Sequence, residues 1–132
     1  MKIILISDTH GKTDNIYILK PGDDISTQET LNNITNDIYL PEEADTIIHS
    51  GDISMIGTEY EIEKFLVWYS SLPYKNKIFI SGNHDKLFDF HKEIAKEIIA
   101  KYPNIIYLES SEITIDGIKI YGEPRQPTFG FN

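Results

Sequence analysis

Short apolar runs alternate along this chain with longer amphipathic stretches, and three of the runs end in a polar turn. Lys2–Ile6 is a β-branched run closed by Ser7-Asp8, which predicts a buried parallel strand. Asp45–His49 repeats the pattern and leads into Ser50-Gly51-Asp52, and Lys77–Ile80 leads into Ser81-Gly82-Asn83-His84-Asp85. Between these two, Thr58–Leu72 gathers Tyr60, Ile62, Phe65, Leu66, Trp68, Tyr69 and Leu72 on one helical face. Thr58 and Glu61 stand in capping-box register, and Pro73 is the stop. That face, Trp68 and Tyr69 included, is expected to pack on the sheet rather than to stack on a ligand.

Ser26–Tyr39 predicts a helix from Leu31, Ile34 and Ile38 behind a Ser26/Glu29 capping box. Gly11–Asp24, polar and interrupted by Pro21-Gly22, predicts a loop or insertion. His91–Tyr102 predicts another helix, stopped by Pro103, with a strand at Ile105–Leu108. Glu112–Ile115 and Ile118–Tyr121 flank Asp116-Gly117, a hairpin signal, and Gly122–Asn132 reads as irregular. The order predicts an α/β fold: one domain over residues 1–132, a layered and mainly parallel sheet flanked by helices, and a C-terminal β-hairpin. In such sheets sites form at the carboxyl ends of strands, where all three polar turns fall.

Composition narrows the chemistry. A net charge of −9 disfavours broad nucleic-acid binding, although metal cations can supply local positive charge for a phosphate ester. With no cysteine, thiolate chemistry and disulfides are excluded, and any metal is left to oxygen and imidazole ligands. The apolar start is shorter than a signal-peptide core and no run reaches membrane-spanning length, so the chain is read as cytoplasmic, without a membrane partner.

Asp8-Thr9-His10, Gly51-Asp52 and Gly82-Asn83-His84-Asp85 each follow a predicted strand, so the fold should bring them to one rim. Asp, His and Asn together suit Mn²⁺, Fe or Zn²⁺, and a carboxylate such as Asp52 can bridge two ions. A lone Asp-x-His after a strand is as readily a helix cap or turn, so the weight lies on three such turns in order. His49 is read as a packed, hydrogen-bonded residue and His91 as solvated or capping. Arg125 is the single arginine; it can clamp a phosphate or simply sit in water.

Ile-Ser-Asp-Thr-His, His-Ser-Gly-Asp and Ile-Ser-Gly-Asn-His-Asp, in that order, resemble the motifs of the calcineurin-like metallophosphoesterases. The stretch from Ile120 to Pro127 is similar to their small branch of metallophosphoesterase-domain proteins. The resemblance implies a partial calcineurin-like phosphoesterase fold with two divalent ions. Asp8 and His10 would go to one ion, Asp52 to the bridge, Asn83 to the second and His84 to catalysis. The expected function is metal-dependent hydrolysis of a phosphodiester or a nucleotide-like monoester. His84 would protonate the leaving oxygen, Asp85 would hold its tautomer, and Asn83, His84 and Arg125 would contact the substrate. The resemblance also implies two later motifs, a histidine after a further strand and a Gly-His-x-His. Both would lie past Asn132, since the four histidines at 10, 49, 84 and 91 all come earlier. The expectation is therefore the first part of a family member, lacking the C-terminal ligands and prone to pair with itself or with a complementary fragment. The alternative is a non-catalytic or partner-dependent module that binds metal or nucleotide. The segment between the first two motifs is longer than that branch leads one to expect.

Overall fold

The computed structural model describes residues 1–23 and 37–124. In chain order its elements are β1 (Ile3–Ile6), β2 (Ile16–Leu19), β3 (Ile38–Pro41), β4 (Thr46–His49), helix α1 (Glu59–Ser70), β5 (Asn76–Phe79), the single turn α2 (Leu87–Phe90), α3 (Lys92–Ile99), β6 (Ile105–Tyr107), β7 (Ser111–Ile115) and β8 (Ile118–Gly122).

β1, β4, β5 and β6 form one parallel sheet in the order β1-β4-β5-β6, with Ile4 opposite Ile47 and Ile48 opposite Ile78. Alternation along the strands sorts their side chains onto two faces. On one face Ile47, Phe79, Ile105, Ile4 and Ile6 meet Ile62, Phe65, Leu66 and Tyr69 of α1 and Ala95 and Ile98 of α3. On the other, Ile48, Ile78, Ile80 and Ile106 are covered by Ile113, Ile115 and Ile120 of the β7–β8 hairpin. The result is a layered α/β architecture: helices, a parallel sheet, and an antiparallel hairpin.

α1 starts as its sequence dictates. The Thr58 hydroxyl accepts the Glu61 N–H and the Glu61 carboxylate returns to the cap backbone. Tyr69, buried under the helix, donates its hydroxyl to the Ile78 carbonyl at 2.6 Å, which ties α1 to the sheet. The packing expected for Trp68 and Tyr69 is observed. The hairpin turns at Asp116-Gly117, both with positive φ as a type I′ turn requires, and each strand extends one residue past its expected outer end.

Two expectations need correction. The stretch read as a loop over Gly11–Asp24 contains strand β2, whose four residues Ile-Tyr-Ile-Leu pair in parallel with β3 in a separate small sheet. Ile38 and Tyr39, read as the end of a helix, belong to β3; they pair with Ile16 and Tyr17, and the two tyrosine rings stack at 5.5 Å. The rest of that expected helix, and Arg125, lie outside the described residues. Among the described residues no helix is long and apolar enough to cross a membrane.

Candidate metal centre

The chain leaves β1, β4 and β5 at the same edge of the sheet, so Asp8–His10, Gly51–Asp52 and Gly82–His84 face one another there. The first two loops are zipped together by backbone bonds: Asp8 N–H donates to Gly51 O at 3.0 Å, His10 N–H to Asp52 O at 3.0 Å, and Gly11 N–H to Ile53 O at 2.9 Å. Those bonds hold Asp8, His10 and Asp52 at φ of 55°, 49° and 58°, a left-handed conformation that non-glycine residues seldom adopt. It brings the His10 and Asp52 side chains toward a common point. The third loop joins through the His84 N–H, which donates to Asp52 Oδ1 at 3.0 Å.

His10, Asp52 and His84 each offer a ligand atom, and the three atoms lie within 4.8 Å of one another. The His10 and His84 rings stand edge to face with centroids 5.0 Å apart. Asp8 Oδ1 is 3.8 Å from His10 Nε2. The Ser7 hydroxyl holds the Asp8 carboxyl below its ordinary range against a desolvation cost; Asp52, His10 and His49 add smaller contributions in the same direction as Ser7. Two imidazole nitrogens and the Asp52 carboxylate, with the Asp8 carboxylate beside His10, form a donor set that fits Mn²⁺, Fe or Zn²⁺. Asn83 lies half-buried in the third loop between Gly82 and His84. A shallow cavity of about 130 Å³ opens beside His10, lined also by Thr13, Tyr60, Glu61 and Lys64.

Both cluster histidines are held from behind by backbone carbonyls. His84 Nδ1 is 2.8 Å from Met55 O and His10 Nδ1 is 3.3 Å from Ser54 O. A carbonyl can only accept, so each ring carries its proton on Nδ1 and turns Nε2 to the cluster. Here the structure corrects the sequence reading of Asp85, which was paired with His84. The Asp85 carboxylate is fully buried and accepts Ile53 N–H (3.1 Å), Ser54 N–H (3.0 Å), the Ser54 hydroxyl (2.5 Å) and Gly82 N–H (2.8 Å). Burial raises its pKa, and the Ser54 hydroxyl and the three amides work against that rise. Asp85 thus fastens the second loop to the third.

His49 is buried and hydrogen-bonded, as expected. Its Nδ1 accepts the Gly51 N–H at 3.2 Å, so the neutral ring donates from Nε2 to Thr9 Oγ1 at 2.9 Å. Burial pushes its pKa down to about 4, with the Asp8 charge opposing. His91 sits exposed at the start of α3 without a side-chain capping bond. Roles for Ser54 and Met55 had no sequence signal, since it is their backbone carbonyls that act.

The sequence model described as calcineurin-like phosphoesterase matches residues 1–126. The chain is 33% identical over 154 aligned residues to human metallophosphoesterase domain-containing protein 1, with 99% of this chain and 40% of that protein covered. It is 33% identical to a UPF0046 protein of Caenorhabditis elegans, covering all of this chain and 44% of that one. A probable rhamnogalacturonate lyase C of Emericella nidulans is 28% identical across 98% of the chain but only 11% of its own length. The chain thus spans less than half the length of these curated relatives.

Proposed function

Because the chain belongs to the calcineurin-like phosphoesterase family, we propose that it is a metal-dependent phosphoester hydrolase with a dinuclear centre, acting on a phosphodiester or a nucleotide-like monoester. The observation that carries this reading is the convergence of His10, Asp52 and His84 within 4.8 Å at the carboxyl edge of the sheet. In this reading Asp8 and His10 would hold one ion, Asn83 would hold the second and Asp52 would serve both; Mn²⁺ is the first choice, Fe and Zn²⁺ the others. When bound, the ions supply charge that offsets the phosphate and make water a nucleophile at neutral pH.

The protein's own groups do the rest. Asn83 and Arg125 take phosphate oxygens, and the interloop backbone bonds keep the reacting groups in place. His84, with Nδ1 fixed on the Met55 carbonyl, presents Nε2 to the leaving oxygen and protonates it in its cationic form. In its neutral form the same Nε2 carries a lone pair, which accounts for its place among the ligand atoms. The cytoplasm is the proposed setting.

The test is hydrolysis of bis(p-nitrophenyl) phosphate with added Mn²⁺, after EDTA, and after Mn²⁺ is restored, for wild type and Asp52→Asn. Turnover that follows the metal and is lost in Asp52→Asn supports the hydrolase. Metal uptake without turnover would favour a binding module instead.

A further inference from the structure

We propose that Glu61, on the first turn of α1, is a positioning residue for His84 and acts through the backbone of residues 55–58. The proposal rests on the proton-donor reading of His84. The Glu61 carboxylate does far more than close a capping box. Oε2 accepts Met55 N–H at 2.7 Å, and Oε1 accepts Ile56 N–H at 3.2 Å and Thr58 N–H at 3.4 Å, with the Thr58 hydroxyl also at 3.4 Å. Those amides outweigh the cost of its partial burial and hold its pKa below the ordinary value. The carboxylate is therefore a fixed acceptor for the whole turn.

The Met55 carbonyl, which receives the His84 Nδ1 proton at 2.8 Å, shares its peptide plane with the Ile56 N–H that Oε1 holds, and the Met55 N–H held by Oε2 fixes the preceding plane, so Glu61 pins the peptides on both sides of Met55. The side chains of Met55 and Ile56 are exposed, so little else than these hydrogen bonds fixes the turn from the solvent side. On its inner side Gly57, at φ +77°, lies flat on the backbone of the third loop. A Cβ there would stand 2.7 Å from Asp85 C and 2.8 Å from His84 O, and would overlap Lys86 N. Moving the turn moves the carbonyl under His84. The Ser54–Met55 peptide, whose N–H Glu61 holds at 2.7 Å, carries the Ser54 carbonyl beside His10 Nδ1, so the same carboxylate stands behind the carbonyls of both cluster histidines.

The test compares Glu61→Gln and Thr58→Ala with wild type in the full chain. Nitrogen NMR of the metal-free protein at alkaline pH reads the His84 tautomer. Wild type should show the Nδ1–H form. Glu61→Gln, which sets an amide NH₂ against backbone donors, should shift His84 toward a mixture with the Nε2–H form. Its kcat at saturating Mn²⁺ should fall about tenfold for an alkyl leaving group and much less for p-nitrophenolate. Thr58→Ala removes the cap but leaves the Met55 and Ile56 bonds. It should lower the melting temperature and leave the tautomer and the leaving-group dependence as in wild type. Should Glu61→Gln not fold, Glu61→Asp keeps the charge and withdraws the carboxylate by one methylene, and should show the same change. A wild-type tautomer in the Glu61 variants, or the same tautomer change in Thr58→Ala, would overturn the proposal. No turnover by wild type would instead overturn the hydrolase reading, and the tautomer would still decide the role of Glu61.

Discussion

Replacing Gly82 by alanine asks the structure a sharp question. A Cβ at this position would stand 2.8 Å from Asp52 Cγ and closer still to Asp52 Oδ1 and N. Ordinary carbon contacts begin near 3.5 Å, so something must give by about 0.7 Å or more. The Asp52 backbone is poorly placed to retreat, because its carbonyl holds the His10 N–H and the Gly51 carbonyl holds the Asp8 N–H. The carboxylate is the freer part. If it swings, it leaves the His84 N–H, a bond to a charged group worth about 1.5–3 kcal/mol. Overpacking of this kind costs about 1–3 kcal/mol in stability. With the proposed bridging ligand displaced, Mn²⁺ affinity should fall by roughly one to two orders of magnitude, at about 1.4 kcal/mol per tenfold. Calorimetric titration of Mn²⁺ into wild type, Gly82→Ala and Gly117→Ala measures it. Gly117 has positive φ but open space around its Cβ direction, so its variant strains the hairpin turn without touching the centre. Wild-type affinity in Gly82→Ala, or an equal loss in Gly117→Ala, would refute the reasoning.

Three further outcomes follow from the same geometry. His84→Ala should lower kcat by about 10²- to 10⁴-fold on an alkyl phosphodiester while retaining metal; loss of the metal instead would make His84 a ligand. Asp52→Asn should retain less Mn²⁺ after dialysis than Asn83→Ala, by elemental analysis, because it removes the charge between two cations; equal retention would contradict the bridge. His49, neutral in the fold with a pKa of about 4 against 6.5 unfolded, should make the metal-free protein lose stability as pH falls from 6.5 toward 4, because the unfolded chain takes up the proton first. The contribution is about 3 kcal/mol, and denaturant melts at pH 7 and 4.5 should show a shallower pH dependence in His49→Gln. An unchanged slope would exclude His49 as the source.

What could be read from the residues was set by pattern length and by chemistry that side chains carry. Three apolar runs ending in polar turns were enough to place Asp8, Asp52 and His84 on one edge, because parallel strands leave the sheet on the same side. Thr58 and Glu61 announced the start of α1 by their spacing. β2 escaped because its four apolar residues sit beside Pro21-Gly22, and the punctuation outweighed the run. Ile38 misled because a helical spacing of four from Ile34 says nothing about the partner strand that claims it. Asp85 follows His84 in sequence, yet its side chain turns inward to four donors while the imidazole turns out. The left-handed backbone of Asp8, His10 and Asp52 suits residue types that tolerate positive φ better than most, but type alone does not say which Asp or His adopts it, since the bonds between loops select the position.

The order β1-β4-β5 also has a kinetic meaning. The contacts that make the centre span long loops: His10 reaches Ser54 across 44 residues and His84 reaches Asp52 across 32. None can form until the parallel ladder has closed, so an unfolded or partly zipped chain offers a cation only scattered carboxylates and imidazoles. Metal should therefore bind late in folding, slow unfolding more than it speeds refolding, and stabilise the finished protein by about 2.7 kcal/mol at a free concentration one hundred times its dissociation constant.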